Sequence, residues 1–332
     1  MAESKGVMIL AEVNGGKLAS IAAELLGCGR KLANNLGEGL SAILVGSDVE
    51  SAAKEAIAFG ADKVFVFDDP LLKDYQTDSY IAVMEKVVKQ AMPQIVLMGQ
   101  TSIGRDLAPR LAFRLGTAAT LDCIELSIDP GSKRLQQTKP VYGGNALAIY
   151  ASDANPQIAT VRAKVMPPAE RNDAKQGEVV RIGAGLDPAA IRTKVLEKVP
   201  QTVEGIRLED AAVVVSGGRG IGSAEGFKQL EELAKILKGA VGATRPACDN
   251  GWVADVLQVG LTGKVVTPDL YIAVALSGSS QHMSGCSGAK SIIAVNKDPK
   301  ANIIKYSRFA VIGDWKKILP AFTSKVKELV AG

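Results

Sequence analysis

The chain has 332 residues, 47% of them hydrophobic and 22% charged, and 39 Lys and Arg against 35 Asp and Glu leave a net charge of +4. At roughly 100–200 residues per domain this length suggests two domains, and the composition excludes disorder as a description of the whole chain. So small a positive excess, with no basic run or aromatic-interleaved patch, argues against nucleic acid as a partner.

From the N-terminus, GVMILAE (6–12) reads as a buried strand. Apolar residues Leu18, Ile21, Ala22, Leu25, Leu32 and Leu36 then recur at helix spacing. LSAILVG (40–46) is strand again, followed by a helical 49–59 and the strand KVFVF (63–67). A helix with Ile81, Met84, Val87, Val88 and Ala91 on one face ends at Pro93. IVLMG (95–99) is another strand and 103–115 another helix. Continuous β-branched runs alternating with helices predict a parallel sheet covered on both faces. From about 120 to 165 the pieces become strand-like and are broken by Pro130-Gly131 and Gly143-Gly144, which predicts antiparallel strands added to the sheet edge.

Between Pro167 and about Gly205 the chain turns polar and proline-rich, and the inter-domain connection is expected there. The α/β alternation then restarts. AAVVVS (211–216) meets the glycine cluster GGRGIG (217–222), and Ser223 is placed to cap a helix running to about Lys238. GAVGATR (239–245), LYIAVAL (270–276), SIIAVN (291–296) and FAVIGD (309–314) are strand-like, and a closing helix spans 315–331. Domains of 1–203 and 204–332 follow, each a mostly parallel α/β sheet with helices on both faces, the second Rossmann-like.

The longest apolar runs fall far below the ~18 residues of a membrane span, and acids at Glu3 and Glu12 flank too short an apolar core for a signal peptide. A location in the cytoplasm is expected. Cys28, Cys123, Cys248 and Cys286 form no C-x-x-C and read as buried free thiols. No metal site is expected. His282 is the chain's one histidine, so any triad chemistry would have to converge on it.

Several strands of the second half end in small or polar residues, where an open parallel sheet binds its ligands. The glycine cluster breaks the dinucleotide fingerprint G-x-G-x-x-G, because Ser223 stands where the last glycine belongs. Arg219 within that turn suits a phosphate, or is a solvated residue of a tight turn. Ser277-Gly278-Ser279-Ser280-Gln281-His282 offers hydroxyls, small residues and the imidazole directly after a strand, with His282 on the first turn of the next helix. Thr244-Arg245-Pro246 puts a guanidinium at another strand end, with Pro246 expected to stop helix and sheet alike. Gln258 to Lys264 reads as a glycine-flanked polar loop, and Asn296 and Asp314 as ribose or adenine contacts or turn caps. No carboxylate pair suits acid/base work. These groups offer cationic and hydrogen-bonding contact to a large anionic ligand.

VVVSGGRGIG, ATRPACDNGW, QVGLTGK, LYIAVALSGSSQH, SIIAVNKDP and FAVIGDW together, with TSIGRDLAPRLAFRLGTAATLD, PVYGGNALA and IATVRAK in the first half, resemble the electron-transfer flavoprotein alpha subunit over nearly the whole chain. The resemblance implies a heterodimer with a homologous beta subunit, with FAD held mainly by the C-terminal domain and the N-terminal domain as scaffold and subunit interface. It implies electron carriage, not catalysis, from flavoprotein dehydrogenases of the acyl-CoA type, as in fatty acid β-oxidation, to a quinone oxidoreductase or another acceptor, with no membrane insertion. A bifurcating assembly stays open. By position, the resemblance assigns Arg219 to the dinucleotide, Thr244 and Arg245 to the isoalloxazine ring, and Gln258, Val259, Gly260 and Thr262 to the flanking loop. Ser277, Gly278, Ser279, Ser280, Gln281 and His282 fall to the phosphates and ring O2, and Asn296, Asp314 and Trp315 to the adenosine side. Arg245, Thr262 and His282 are the implied tuners of the ring, since a cation above it and an imidazole beside its N1 edge favour negative charge there, and that charge would hold His282 protonated. Leu261 stands where relatives usually carry glutamine, removing one hydrogen bond, and Ser280 where they carry an apolar residue, adding a hydroxyl near the pyrophosphate. The competing readings are a nicotinamide-dependent oxidoreductase and a non-redox nucleotide-binding regulatory module.

Overall fold

The computed structural model describes residues 4–198 and 206–331, and these fall into two compact units. The first comprises residues up to Pro140 and from Leu147 onward, and the second takes Val141–Ala146 together with the C-terminal part of the chain. The expected boundary at 203/204 lies outside the described residues.

In the first unit β1 (Val7–Leu10) is followed by a two-strand ribbon of β2 (Val13–Asn14) and β3 (Lys17–Leu18), then α1 (Ser20–Leu36), β4 (Leu40–Gly46), α2 (Glu50–Ala58) and β5 (Lys63–Asp68). The chain continues through α3 (Thr77–Ala91), β6 (Ile95–Gly99), α4 (Ser102–Leu115), β7 (Ala119–Cys123), β8 (Glu125–Ile128), β9 (Leu135–Val141), β10 (Ala146–Tyr150), β11 (Gln157–Val161) and β12 (Glu178–Arg181). The main sheet runs β12-β5-β4-β1-β6-β11-β7, with parallel pairing throughout. Strand side chains alternate between its faces. Val7 and Ile9 of β1 pack with Ile21 and Leu25 of α1 and Ala52 of α2, while Met8 and Leu10 pack with Met84 of α3 and Leu107 of α4. Both faces are therefore covered, as the continuous apolar runs require.

Two expectations for this half are corrected. The antiparallel strands do not extend the main sheet: β8, β9 and β10 form a separate three-stranded sheet, while β7 and β11 enter the main sheet in parallel. The polar stretch after Pro167 is not simply a connection either, because β12 pairs in parallel with β5 along four residues. Glu178-Val179-Val180-Arg181 is too short to show a period, and only its two valines are half-buried.

The second unit contains β13 (Val213–Gly217), α5 (Ala224–Ile236), β14 (Ala240–Ala243), α6 (Arg245–Asp249), β15 (Leu270–Val274), α7 (Ser280–Cys286), β16 (Ile292–Asn296), α8 (Ile303–Tyr306), β17 (Phe309–Ile312) and α9 (Trp315–Ala331). Its parallel sheet runs β14-β13-β15-β16-β17. Val215 packs with Phe227 and Leu230 of α5 and Leu319 of α9 on one face, and Val214 with Met283 of α7 and Ile303 of α8 on the other. Ser223 caps α5 by accepting from the Gly226 N–H at 3.2 Å. Pro246 does not stop a helix but sits in the first turn of α6, where its missing N–H costs nothing.

No described helix is long and apolar enough to cross a membrane.

Candidate functional site

In the second unit the chain runs from β13 to its neighbour β14 on one side and returns to β15 on the other. The strand order therefore reverses between β13 and β15, and a parallel sheet splays open at the C-terminal ends of such a pair. A cleft of about 830 Å³ lies there, inside the roughly 300–1,000 Å³ of ligand pockets.

One wall is the glycine turn after β13. Gly218 and Gly220 donate to the carbonyls of Val274 and Ala275 at 3.1 and 3.2 Å. A Cβ on Gly218 would stand 2.5 Å from Leu276, and one on Gly220 2.7 Å from the Ala275 oxygen. These glycines thus serve close packing on the end of β15, which leaves Arg219 between them exposed on the cleft wall. Trp315, at the start of α9, is buried and donates its Nε1–H to the Gly220 carbonyl at 3.1 Å, so it backs this turn.

The floor is the segment after β15. The Leu276 carbonyl accepts from Asn296 Nδ2 at 2.8 Å, the Ser277 carbonyl from the Ile303 N–H at 3.0 Å, and the Gly278 carbonyl from Asn302 Nδ2 at 2.7 Å. In a trans peptide the next N–H points opposite to the carbonyl. With three successive carbonyls engaged, the N–H groups of Ser277, Gly278 and Ser279 are directed away from those partners, in a segment that lines the cleft. Gly278, at φ +72°, would place a Cβ 2.5 Å from the Ile303 nitrogen, so only glycine permits the bend. Ser279 caps α7, its Oγ accepting from the His282 N–H at 3.4 Å, and its own O–H remains to donate.

Behind this lining a loop is stitched to α7. Val259 donates to Ala243 at 2.9 Å, Leu261 to the Gln281 carbonyl at 2.8 Å, and Val266 to the Gly285 carbonyl at 2.7 Å. A Cβ on Gly285 would stand 2.3 Å from the Gly260 nitrogen, so backbone meets backbone here. Gln258 Nε2 donates to Thr262 Oγ1 at 2.9 Å, closing the loop on itself.

Of the residues singled out from the sequence, the cleft gathers Arg219, Thr244, Ser277, Gly278, Ser279, His282, Asn296, Asp314 and Trp315 along its lining. Gln258, Val259, Gly260, Thr262 and Gln281 stand one layer back, in the loop and the helix turn that it grips. Arg245 is exposed beside the cleft and pairs with Asp249 at 3.4 Å. Ser280 is not among the lining residues; its hydroxyl lies 3.3 Å from Gln281 Oε1, and its Cβ would lie 2.9 Å from a Cβ on Gly143. Leu261 makes its contact through the backbone, with its side chain exposed, so the missing glutamine does not unfasten the loop. Asn296 spends its amide on Leu276 and its Oδ1 on the Asp298 N–H at 3.0 Å, and thereby shapes the floor. Lys297, Asp298 and Lys316 also line the cleft; the first two stand in the segment SIIAVNKDP without having been singled out as contacts, and Lys316 directly follows FAVIGDW.

His282 is 4% exposed, and burial pushes its pKa down from 6.5 to about 4, only partly offset by its bond to the Val259 carbonyl. Burial by itself thus favours the neutral ring, and the further cationic side chains of the lining are Arg219, Lys297 and Lys316.

The donor set suits a dinucleotide. N–H groups and hydroxyls converge on the floor, cations stand on the walls, and Asp314 on the rim offers an acceptor of the kind a ribose hydroxyl requires. Among the described residues no cluster of His, Cys, Asp and Glu has the arrangement of a metal site.

Residues 7–186 match the electron transfer flavoprotein domain and residues 207–287 the electron transfer flavoprotein FAD-binding domain. The chain is 44% identical to the electron transfer flavoprotein subunit alpha of Thermoanaerobacterium thermosaccharolyticum over 99% of this chain and 100% of that one. It is 44% identical to the subunit alpha of Megasphaera elsdenii, over 99% and 98% of the two chains. A protein FixB of Clostridium saccharobutylicum is 40% identical over 100% of this chain and 99% of its own.

Proposed function

The chain belongs to the electron transfer flavoprotein family, as an alpha subunit with an FAD-binding domain, and from that premise we propose that the cleft between β13 and β15 holds the FAD through which it carries electrons. FAD, when bound, supplies the ability to take up and release electrons singly. The observation that carries the reading is the cleft itself: about 830 Å³ at the switch point, floored by directed N–H groups and walled by Arg219, Lys297 and Lys316.

Each group in it has work of an electron carrier rather than of a bond-breaking enzyme. Arg219 and the amides of 277–279 bind the pyrophosphate, since charge-assisted bonds from fixed donors are the strong ones. Asp314 accepts from the ribose, while Trp315 holds the glycine turn in place. Thr244, which follows β14, and the loop 258–264 behind the lining would hold the ring system of a bound FAD. Arg245, exposed beside the cleft and paired with Asp249, would bring positive charge toward the ring of a bound FAD and favour its reduced, more negative state.

The N-terminal unit, which spans most of residues 1–203, serves in this reading as scaffold and as the interface to a beta subunit. The donors are flavoprotein dehydrogenases and the acceptor is a quinone oxidoreductase or an equivalent protein, with the whole cycle in the cytoplasm.

The test is a visible spectrum of the chain co-purified with its beta subunit and followed through stepwise reduction. The expected result is a yellow protein that takes up electrons in two resolved steps. A complex that stays colourless after incubation with FAD would overturn the reading, and bound FAD that cannot be reduced would favour a regulatory module.

A further inference from the structure

The loop 258–264 ends in a lysine that does not line the cleft. The Lys264 N–H donates to the Gln258 carbonyl at 2.7 Å, and the Lys264 carbonyl accepts from the Gly260 N–H at 3.1 Å. A Cβ on Gly263 would stand 2.4 Å from the Gln258 oxygen, so the loop closes backbone on backbone, with Lys264 at the closure. Its side chain leaves the loop, and its Nζ donates to Glu209 Oε1. Glu209 lies on a turn with fastenings of its own. The N–H groups of Asp210 and Ala211 donate to the Arg207 carbonyl, each at 3.0 Å, and Leu208 and Ala211 are buried in the core that also holds Val259. Burial by itself would raise the Glu209 carboxyl, yet the bond to Lys264, with Arg207 adding to it, brings it below its usual range. The two side chains are 37% and 33% exposed, so the pair is screened less than one standing fully in solvent.

We propose that Lys264 and Glu209 are positioning residues whose contact fixes the closed loop 258–264 against the turn before β13 and so sets where the Thr262 hydroxyl stands behind the cleft. Gln258 Nε2 donates to Thr262 Oγ1, so that hydroxyl keeps its own proton to donate, in a direction set by the loop that carries it. Residues 259 and 261 are held by backbone bonds to Ala243 and Gln281. Among the described residues, Thr262 to Lys264 make no other side-chain hydrogen bond outside the loop. The consequence for a bound flavin rests on the reading above, whereas the hold on the loop does not.

The test is a double-substitution cycle in the heterodimer. Lys264→Met keeps the stem and removes the ammonium, and Glu209→Gln keeps the shape and removes the charge. Before FAD is loaded, each is expected to speed amide exchange at 260–264 while the amides of β13 and α7 keep the parent's rates. In the loaded heterodimer each should speed FAD release roughly fivefold, the size of effect found between directly coupled side chains. The double variant should release FAD no faster than either single, and Lys264→Arg should recover most of the parent's rate. A general loss of stability would give neither the ceiling nor the recovery. Single effects that add, a Lys264→Arg no better than Lys264→Met, or loop exchange at the parent's rate would each overturn the proposal. Glu209→Gln breaks the same contact from the other side, so the exchange measurement decides even if Lys264→Met does not fold. Loop amides that quicken in a complex that takes no FAD uphold the hold and refute the flavin reading. FAD that binds and leaves every variant at one rate does the reverse.

Discussion

Each unit has a switch point, and the two are filled differently. In the first, the strand order reverses between β1 and β6. Two residues beyond β1 stands Glu12, and two beyond β6 stands Thr101, which caps α4 by accepting from the Gly104 N–H at 3.1 Å. Thr101 in turn donates to Glu12 Oε1 at 2.6 Å. The acceptor beside this helix N-terminus is thus the chain's own carboxyl group. In the second, the corresponding reversal between β13 and β15 is left to hydroxyls, N–H groups and Arg219. Topology puts a crevice in the same place twice, and the sign of the side chain that reaches it decides which one takes an anionic ligand.

The comparison breaks most severely at the seam between the loop 258–264 and α7. Gly285→Ala forces a methyl group to within 2.3 Å of the Gly260 nitrogen. Backbone cannot yield as a side-chain tip does, so a loss of about 3 kcal/mol is expected. Thermal unfolding measured beside FAD content should show both falling, with cofactor lost first because the loop 258–264 parts from α7. A variant that melts like the parent and retains FAD would mean that the loop does not need its seam.

Next in size is the titration of the first switch point. Burial pushes Glu12 up to about 7, with the Thr101 bond acting the other way, and Glu24 is pushed up to about 7 for the same first reason. A carboxyl with a raised native pKa binds its proton more tightly folded than unfolded, so stability is fullest below about 4.5 and declines as the pH rises through about 7. Glu12→Gln removes that decline at one of the two sites. Its melting temperature relative to the parent should therefore be more favourable at pH 8 than at pH 5, and equal offsets at both would show that Glu12 is ionised throughout. His282 acts in the opposite sense: with its pKa lowered from 6.5 to about 4 by burial, the unfolded chain binds its proton more tightly, so its contribution is full above about 6.5 and declines as the pH falls toward about 4.

What was legible in the sequence divides along similar lines. The strands of 40–46 and 95–99 and the helix of 315–331 appear with the bounds read from their apolar runs, because burial on both faces leaves an unbroken signal. β12 was missed because four residues with two half-buried valines cannot display a period. Val141–Ala146 was read with the first half, yet its Tyr142-Gly143-Gly144 turn, with φ values of 51°, 70° and 93°, packs on α7, and Asn145 accepts from the Tyr306 hydroxyl at 2.7 Å. The strand-end residues of the cleft were legible because a parallel sheet brings its C-terminal ends to one edge. The Lys264–Glu209 link was not, since 55 positions separate the two charges and neither stands in a pattern that points to the other.

The smallest predicted effect concerns the group least tied to the fold. Arg245 is exposed and its ion pair with Asp249 is a helical surface pair at 3.4 Å, so removing it costs little stability. A unit charge about 4 Å from the ring in a water-like dielectric is worth roughly 1 kcal/mol, which is about 40 mV for one electron. Arg245→Ala should therefore lower the first reduction potential of the bound flavin by about that much while FAD content and melting temperature barely move. Arg219→Ala, on the cleft wall, should do the opposite, weakening FAD binding with little change in potential. If both substitutions moved the potential equally, charge would act through the cleft as a whole, and the division between a binding cation and a tuning cation would fall.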